Sequence, residues 1–285
     1  MKLVRFGDFG HEKPGVLDSS GQVRDASRLV PDWTGEHLAP AAMRRLTADV
    51  IQGLPLAPAG GRLGSPVPTP GNFIAVGLNY ADHAAETGAA IPSEPILFNK
   101  APNCTVGPND DVMIPRDSEK TDWEVELAIV IGTRAEYVEE ADALDHVAGF
   151  CVCNDVSERA YQTERGGQWM KGKGSPTFGP LGPWLVTPDE IPDVQALSMW
   201  LDVNGRRAQT GSTATMIFGV RMLVSYISRF LALDPGDVIT TGTPPGVGMG
   251  MKPPTYLKAG DTIALGIEGL GEQRQTVVGW RRAEL

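Results

Sequence analysis

The stretch Asp122-Trp123-Glu124-Val125-Glu126-Leu127-Ala128-Ile129-Val130-Ile131 decides how the rest of the chain is read. Its apolar positions make a buried strand, yet Glu124 and Glu126 sit inside it two residues apart. Strand geometry puts both on one face, with Cα atoms about 6.5 to 7 Å apart. Two ionised carboxylates turned toward a core repel each other and, unpartnered, cost on the order of several kcal/mol. A hard divalent cation relieves this, because Mg²⁺ takes oxygen ligands and keeps positions open for substrate. The alternative is a solvated face on which the two glutamates are merely polar.

Working outward, Asp155 ends a second apolar strand over Gly149–Asn154 and offers a third oxygen ligand, although an acid there can be only a turn residue. Arg159 and Gln162 follow four and seven positions on, a cation and an amide on one helical face. They can hold a carboxylate or be plain surface groups. In Gly77-Leu78-Asn79-Tyr80-Ala81-Asp82-His83-Ala84-Ala85-Glu86 a strand ends, Asn79 can cap, and His83 and Glu86 fall three apart on the next helix. A carboxylate behind a histidine orients it and makes it basic enough to take a proton from water; a solvated helix face is the alternative. Gly167 through Gly174 nearly matches a phosphate-binding loop, but Gly174 stands where the Mg²⁺-binding Ser or Thr belongs. Gly246-Val247-Gly248-Met249-Gly250 has the wrong spacing for a dinucleotide fingerprint.

The surrounding pattern predicts a β-rich α+β fold. Residues 1–65 read as a small N-terminal domain, with extended segments at Leu3–Phe6, Gly15–Asp18 and Gln22–Asp25, a turn at Ser19-Ser20-Gly21, and a helix over Ala41–Ile51. Pro55 through Pro70 is dense in Pro and Gly and reads as a linker into a catalytic domain over 66–285. There the strands are Phe73–Leu78, Trp123–Ile131, Gly149–Asn154, Met199–Val203, Val238–Thr241 and Thr262–Ile267, with helices over Tyr80–Thr87 and Met216–Phe230. Strands and helices do not alternate regularly, which argues against a doubly wound sheet.

The 285 residues carry 35 acidic and 25 basic side chains, a formal charge of −10. That surplus argues against nucleic-acid and anionic-membrane partners, and the apolar fraction of 41% excludes a disordered chain. Four scattered histidines speak against a zinc centre. Cys104, Cys151 and Cys153 read as buried reduced thiols rather than a disulfide scaffold. The start lacks a signal-peptide core, and there is no run of about 18 apolar residues, so a cytoplasmic protein is expected.

As a set, these motifs resemble the fumarylacetoacetate hydrolase family. The matching text adds Pro95-Ile96-Leu97-Phe98-Asn99-Lys100, Gly172-Lys173, Gly179-Pro180-Leu181-Gly182-Pro183-Trp184 and Thr241-Gly242-Thr243-Pro244-Pro245-Gly246-Val247-Gly248, in order from about residue 70 to 280. One departure is Gly174-Ser175-Pro176, where many relatives read Ser-Phe-Asp. The resemblance implies a distorted β-roll or barrel, usually a homodimer or higher homo-oligomer, with Mg²⁺ or Mn²⁺ on Glu124, Glu126 and Asp155. It implies a His83–Glu86 water-activating dyad on a lid helix, an enolate-stabilising Lys173, and Arg159, Gln162, Thr243, Tyr80 and Lys100 as substrate-binding residues. The implied reaction is hydrolysis of a carbon–carbon bond in a small anionic keto acid, a 2,4-diketo acid. Within the family the chain resembles the branch acting on 2,4-diketo-3-deoxy-L-rhamnonate or -fuconate, which implies pyruvate and lactate as products. Oxaloacetate decarboxylases, hydratases or isomerases and ureidoglycolate lyases share the scaffold, and a non-catalytic, cation-stabilised binding module is the alternative of another class.

Overall fold

The computed structural model describes residues 1–82 and 90–282. Its largest sheet has ten strands. They run in the order Val23–Asp25, Lys13–Leu17, Lys2–Phe6, Gly179–Val186, Val147–Asn154, Val125–Ile131, Val238–Thr240, Phe73–Gly77 and Ile96–Lys100, with Thr105–Val106 beside Gly179–Val186. A five-stranded sheet runs Arg206–Ser212, Ser198–Val203, Thr262–Ile267, Gly271–Val278 and Val112–Met113. The β-rich α+β class is as expected.

Val125–Ile131 lies at the centre, and all seven of its residues are buried. Val125, Leu127, Ile129 and Ile131 join one core with Met199, Leu201 and Leu265 of the smaller sheet and with Val220, Leu223 and Ile227 of the helix Val220–Ser228. Ala128 and Val130, on the other face, join a second core with Cys151, Cys153, Trp33 and Leu38. Both faces are covered, so the strand shows no apolar–polar alternation. Glu124 and Glu126 share the parity of Ala128 and therefore face a core, not solvent.

Residues 1–65 add their strands to the same sheet. Leu3 pairs with Leu185, and Trp33 and Leu38 share the core of Phe73 and Ala128. The sheet thus runs continuously across residue 65. In the segment expected as a linker, Leu56 bridges Arg24 and Leu63 bridges Phe6, so it lies along the sheet rather than hanging free.

The helix expected over Ala41–Ile51 is two short ones, Pro40–Met43 and Ala48–Gln52, because Thr47 interrupts it and its hydroxyl caps the second at Val50 N. The helix expected over Met216–Phe230 is trimmed to Val220–Ser228, preceded by a 3₁₀ turn at Thr213–Thr215. Of the helix expected over Tyr80–Thr87, Tyr80, Ala81 and Asp82 are described: Tyr80 forms a β-bridge with Met216, and Ala81 and Asp82 are helical. The Asn79 side chain accepts from Phe218 N at 2.8 Å and donates to the carbonyls of Phe218 at 3.0 Å and Thr241 at 2.8 Å, stapling three loops together. The three cysteines are free and buried, as expected.

Candidate active site

Antiparallel pairing creates the site. Val125–Ile131 begins where Val147–Asn154 ends, with Glu126 opposite Cys153 and Val125 opposite Asn154. Asp155 is the next residue, and its N–H donates to the Glu124 carbonyl at 2.9 Å. Carboxylate oxygens of Glu124, Glu126 and Asp155 consequently lie within 4.8 Å of one another, all buried. From the other side Val238–Thr240 delivers Gly242, whose N–H donates to Glu126 Oε2 at 2.8 Å. Gly242 has φ +92°, and an added Cβ would come within 2.9 Å of Asn79, so only glycine brings this N–H so close.

Three cations answer the carboxylates. Lys173 Nζ lies 2.6 Å from Glu124 Oε2 and 2.6 Å from Asp155 Oδ2. Arg159 lies 2.8 Å from Asp122 Oδ2 through Nε and 2.7 Å from Glu124 Oε1 through a terminal nitrogen, while its other terminal nitrogen donates to Gln162 Oε1 at 3.0 Å. Lys100 Nζ donates to Asp155 Oδ1 at 2.5 Å and to the Lys173 carbonyl at 2.6 Å. Burial works to raise the Glu124 pKa, but Lys173 and then Arg159 outweigh it and hold the carboxyl at about 2. Glu126 is pushed well above the ordinary glutamate range by burial and then by the negative charges of Asp155 and Glu124. Among the described residues it has no ion-pair partner. A buried carboxylate beside two others, without a cation of its own, fits a divalent ion held by oxygen, and Glu124, Glu126 and Asp155 are the residues to hold it.

These groups form one end of a cleft of about 210 Å³. Arg159, Gln162, Lys173 and Thr243 supply its polar lining and Leu78, Phe98, Trp169 and Met249 its apolar lining, with Lys173 Nζ 5.3 Å from the Phe98 ring centroid. Trp169 packs edge-on to Phe98 with ring centroids 5.3 Å apart. Lys173 comes from a single helical turn, Met170–Lys173, in the segment that imitates a phosphate loop; its head group is committed to carboxylates.

Two expected substrate-binding residues stand elsewhere. Lys100 is fully buried behind Asp155, where its ammonium is consumed by the carboxylate and by main-chain carbonyls. Tyr80 is also fully buried, with its hydroxyl on Met199 Sδ at 3.3 Å. His83 and Glu86 lie outside the described residues. Sequence reasoning missed Asp122, which anchors Arg159, and Gln209, whose amide donates to Thr243 Oγ1 at 2.9 Å and accepts from Val125 N at 2.9 Å. Asp122 stands beside Glu124 in the opening motif, and its odd polarity before a buried strand was the available signal. A lone glutamine in Arg206–Ser212 offers none.

The fumarylacetoacetate (FAA) hydrolase C-terminal family matches residues 72–278. The chain belongs to the fumarylacetoacetate hydrolase family. A family relative in Burkholderia orbicola (strain MC0-3), named a hydrolase, is 59% identical over 276 residues, 96% of this chain and 98% of its own. The fumarylacetoacetate hydrolase of psychrophilic Exiguobacterium antarcticum has a structure similar at a TM-score of 0.86 and 38% identity, covering 98% of this chain and 100% of its own. Maleylpyruvate hydrolase from Sphingobium sp. SYK-6, solved in complex with manganese(II) ion and pyruvate, is similar at 0.82 and 28% identity, covering 99% of this chain and 100% of its own. Membership of the fumarylacetoacetate hydrolase family and these relatives support hydrolase activity. Among the described residues no helix is long and apolar enough to cross a membrane.

Proposed function

We propose that the chain is a Mg²⁺- or Mn²⁺-dependent hydrolase that cleaves the C3–C4 bond of a 2,4-diketo acid, giving pyruvate and a second carboxylic acid. The observation that carries this reading is the buried Glu124–Glu126–Asp155 cluster with Lys173 and Arg159 directly on it. The metal and pyruvate bound to the maleylpyruvate hydrolase add support, because the same two components are needed here. When bound, the ion supplies Lewis-acid polarisation of the substrate's 2-oxo group.

The chain's own residues do the rest. Arg159 and Gln162 receive the substrate carboxylate at the polar end, where a charge-assisted hydrogen bond is strong because both side chains are buried. His83, backed by Glu86, takes a proton from water as the water oxygen adds to C4. The C3–C4 bond then breaks, and its electron pair leaves as the pyruvate enolate. Lys173 donates to the enolate oxygen, and a preorganised donor of this kind lowers the barrier most in a dry site. Protonation of C3 releases pyruvate, and the C4 fragment leaves as the acid. For 2,4-diketo-3-deoxy-L-rhamnonate or -fuconate, the substrates we propose within this class, that acid is lactate.

The test is to mix the protein, Mg²⁺ and an acylpyruvate and follow the enol absorbance, then to repeat it across a panel that includes both sugar acids. Loss of absorbance that depends on Mg²⁺ supports the reading. An unchanged signal across the panel with both Mg²⁺ and Mn²⁺ counts against it.

A further inference from the structure

We propose that Asp122 is a positioning residue that locks the Arg159 guanidinium and the Gly248–Met249 turn into one frame on the cleft wall. The inference rests on the reading that Arg159 receives a substrate carboxylate.

Asp122 is fully buried and does not line the cleft, whereas Arg159 and Met249 do. It accepts four hydrogen bonds. Oδ1 takes the N–H groups of Trp123 at 2.8 Å and Gly248 at 2.7 Å. Oδ2 takes the Met249 N–H at 3.0 Å and Arg159 Nε at 2.8 Å. An ionised carboxylate has about four acceptor sites, so its capacity is filled. The turn can approach this closely because Gly248 has no side chain: an added Cβ would lie 2.8 Å from Asp122 Oδ1 and 2.0 Å from the Thr255 carbonyl. A single side chain therefore fixes one polar and one apolar element of the cleft relative to each other.

The consequence falls on Arg159. Its Nε is held by Asp122, one terminal nitrogen by Gln162, and the other lies on Glu124. A guanidinium has five N–H donors; Gln162 takes one from a terminal nitrogen, and the terminal nitrogen beside Glu124 makes no hydrogen bond among the described residues, so donors remain on both terminal nitrogens. Those two are what a carboxylate needs for bidentate recognition. Without Asp122 the planar head is held only from its terminal nitrogens and can rotate off the substrate. A carboxylate is required at 122 because all four partners are donors; asparagine would turn an NH₂ toward two of them.

The experiment is calorimetric titration of the Mg²⁺-loaded full chain with pyruvate. Wild type binds, and Arg159→Met weakens pyruvate at least about tenfold, as loss of a charged hydrogen bond should. Asp122→Asn also weakens it about tenfold, while Mg²⁺ affinity stays within about twofold of wild type because Asp122 is not among the metal-holding carboxylates. The double variant is no weaker than Arg159→Met, since both changes remove one contact. Wild-type pyruvate affinity in Asp122→Asn, a parallel loss of Mg²⁺, or additive losses in the double variant would each overturn the proposal. If Asp122→Asn does not fold, Arg159→Lys decides the matter. Loss as large as in Arg159→Met supports a held planar head, and wild-type affinity overturns it. Failure of wild type to bind pyruvate removes the functional reading itself, and this inference with it.

Discussion

Replacing Glu126 with glutamine separates a metal ligand from a structural carboxylate. Glu126 is 1% exposed and accepts the Gly242 N–H at 2.8 Å. Glutamine keeps the volume and that acceptor while deleting the charge. Second-sphere changes at metal sites cost about 10–100-fold in affinity, so loss of a direct ligand should cost at least about 100-fold, or about 2.7 kcal/mol. The metal-free protein should respond in the opposite sense. Burial, Asp155 and Glu124 raise the folded-state pKa of Glu126, so its contribution is fully present below the ordinary glutamate range and is lost as pH rises through the raised value. Glu126→Gln removes that loss, so metal-free stability at neutral pH should be equal to or greater than that of wild type. Metal binding must also expel the proton, so Mg²⁺ affinity of wild type should rise with pH. Calorimetry for Mg²⁺ and thermal unfolding with and without metal read all three effects, since Mg²⁺ at about 100 times its Kd adds about 2.7 kcal/mol to wild type. Unchanged Mg²⁺ affinity, or a metal-free variant destabilised by more than about 2 kcal/mol, would refute the assignment.

Other outcomes follow from the same geometry. Lys173→Met should lower kcat by about 10²–10³-fold, as removal of a preorganised donor does, and steady-state kinetics checks this; near-normal kcat would remove Lys173 from the chemistry. His83→Ala should abolish hydrolysis yet leave some oxaloacetate decarboxylation, which needs no activated water. Full hydrolysis by that variant would end the dyad assignment. Burial pushes the Cys151 thiol up to about 12 and the Cys104 thiol to about 11, so a thiol-reactive dye should label the native protein only slowly at neutral pH and three groups after unfolding. Rapid native labelling would contradict their burial.

Much of the site was legible because its chemistry violates its surroundings. Two glutamates at the head of an all-apolar strand, and an aspartate ending another, stand out in any reading of burial. Antiparallel pairing then brings them together, which a linear pattern does not display. Lys100 and Tyr80, expected from motif position to bind substrate, are fully buried and do not line the cleft. Strands went unread where their inward residues are polar or their backbone is rich in Gly and Pro. Gly271–Val278 buries Gln273 and Gln275, which satisfy loop and strand carbonyls such as Val152 and Pro108. Gly179–Val186, with two Gly and two Pro, reads as a turn until its neighbours on both sides are known. The strand partners of Gly179–Val186 lie over 25 residues away in the chain, whereas Gly271–Val278 folds back on its neighbour Thr262–Ile267.

The central claim is carbon–carbon hydrolysis with water entering at C4. The most direct measurement is turnover of a 2,4-diketo acid in ¹⁸O-labelled water with Mg²⁺, with both products analysed by mass spectrometry. The expected result is equimolar pyruvate and a second acid carrying one new ¹⁸O in its carboxylate. Substrate consumed without pyruvate, or an acid product free of label, would contradict it.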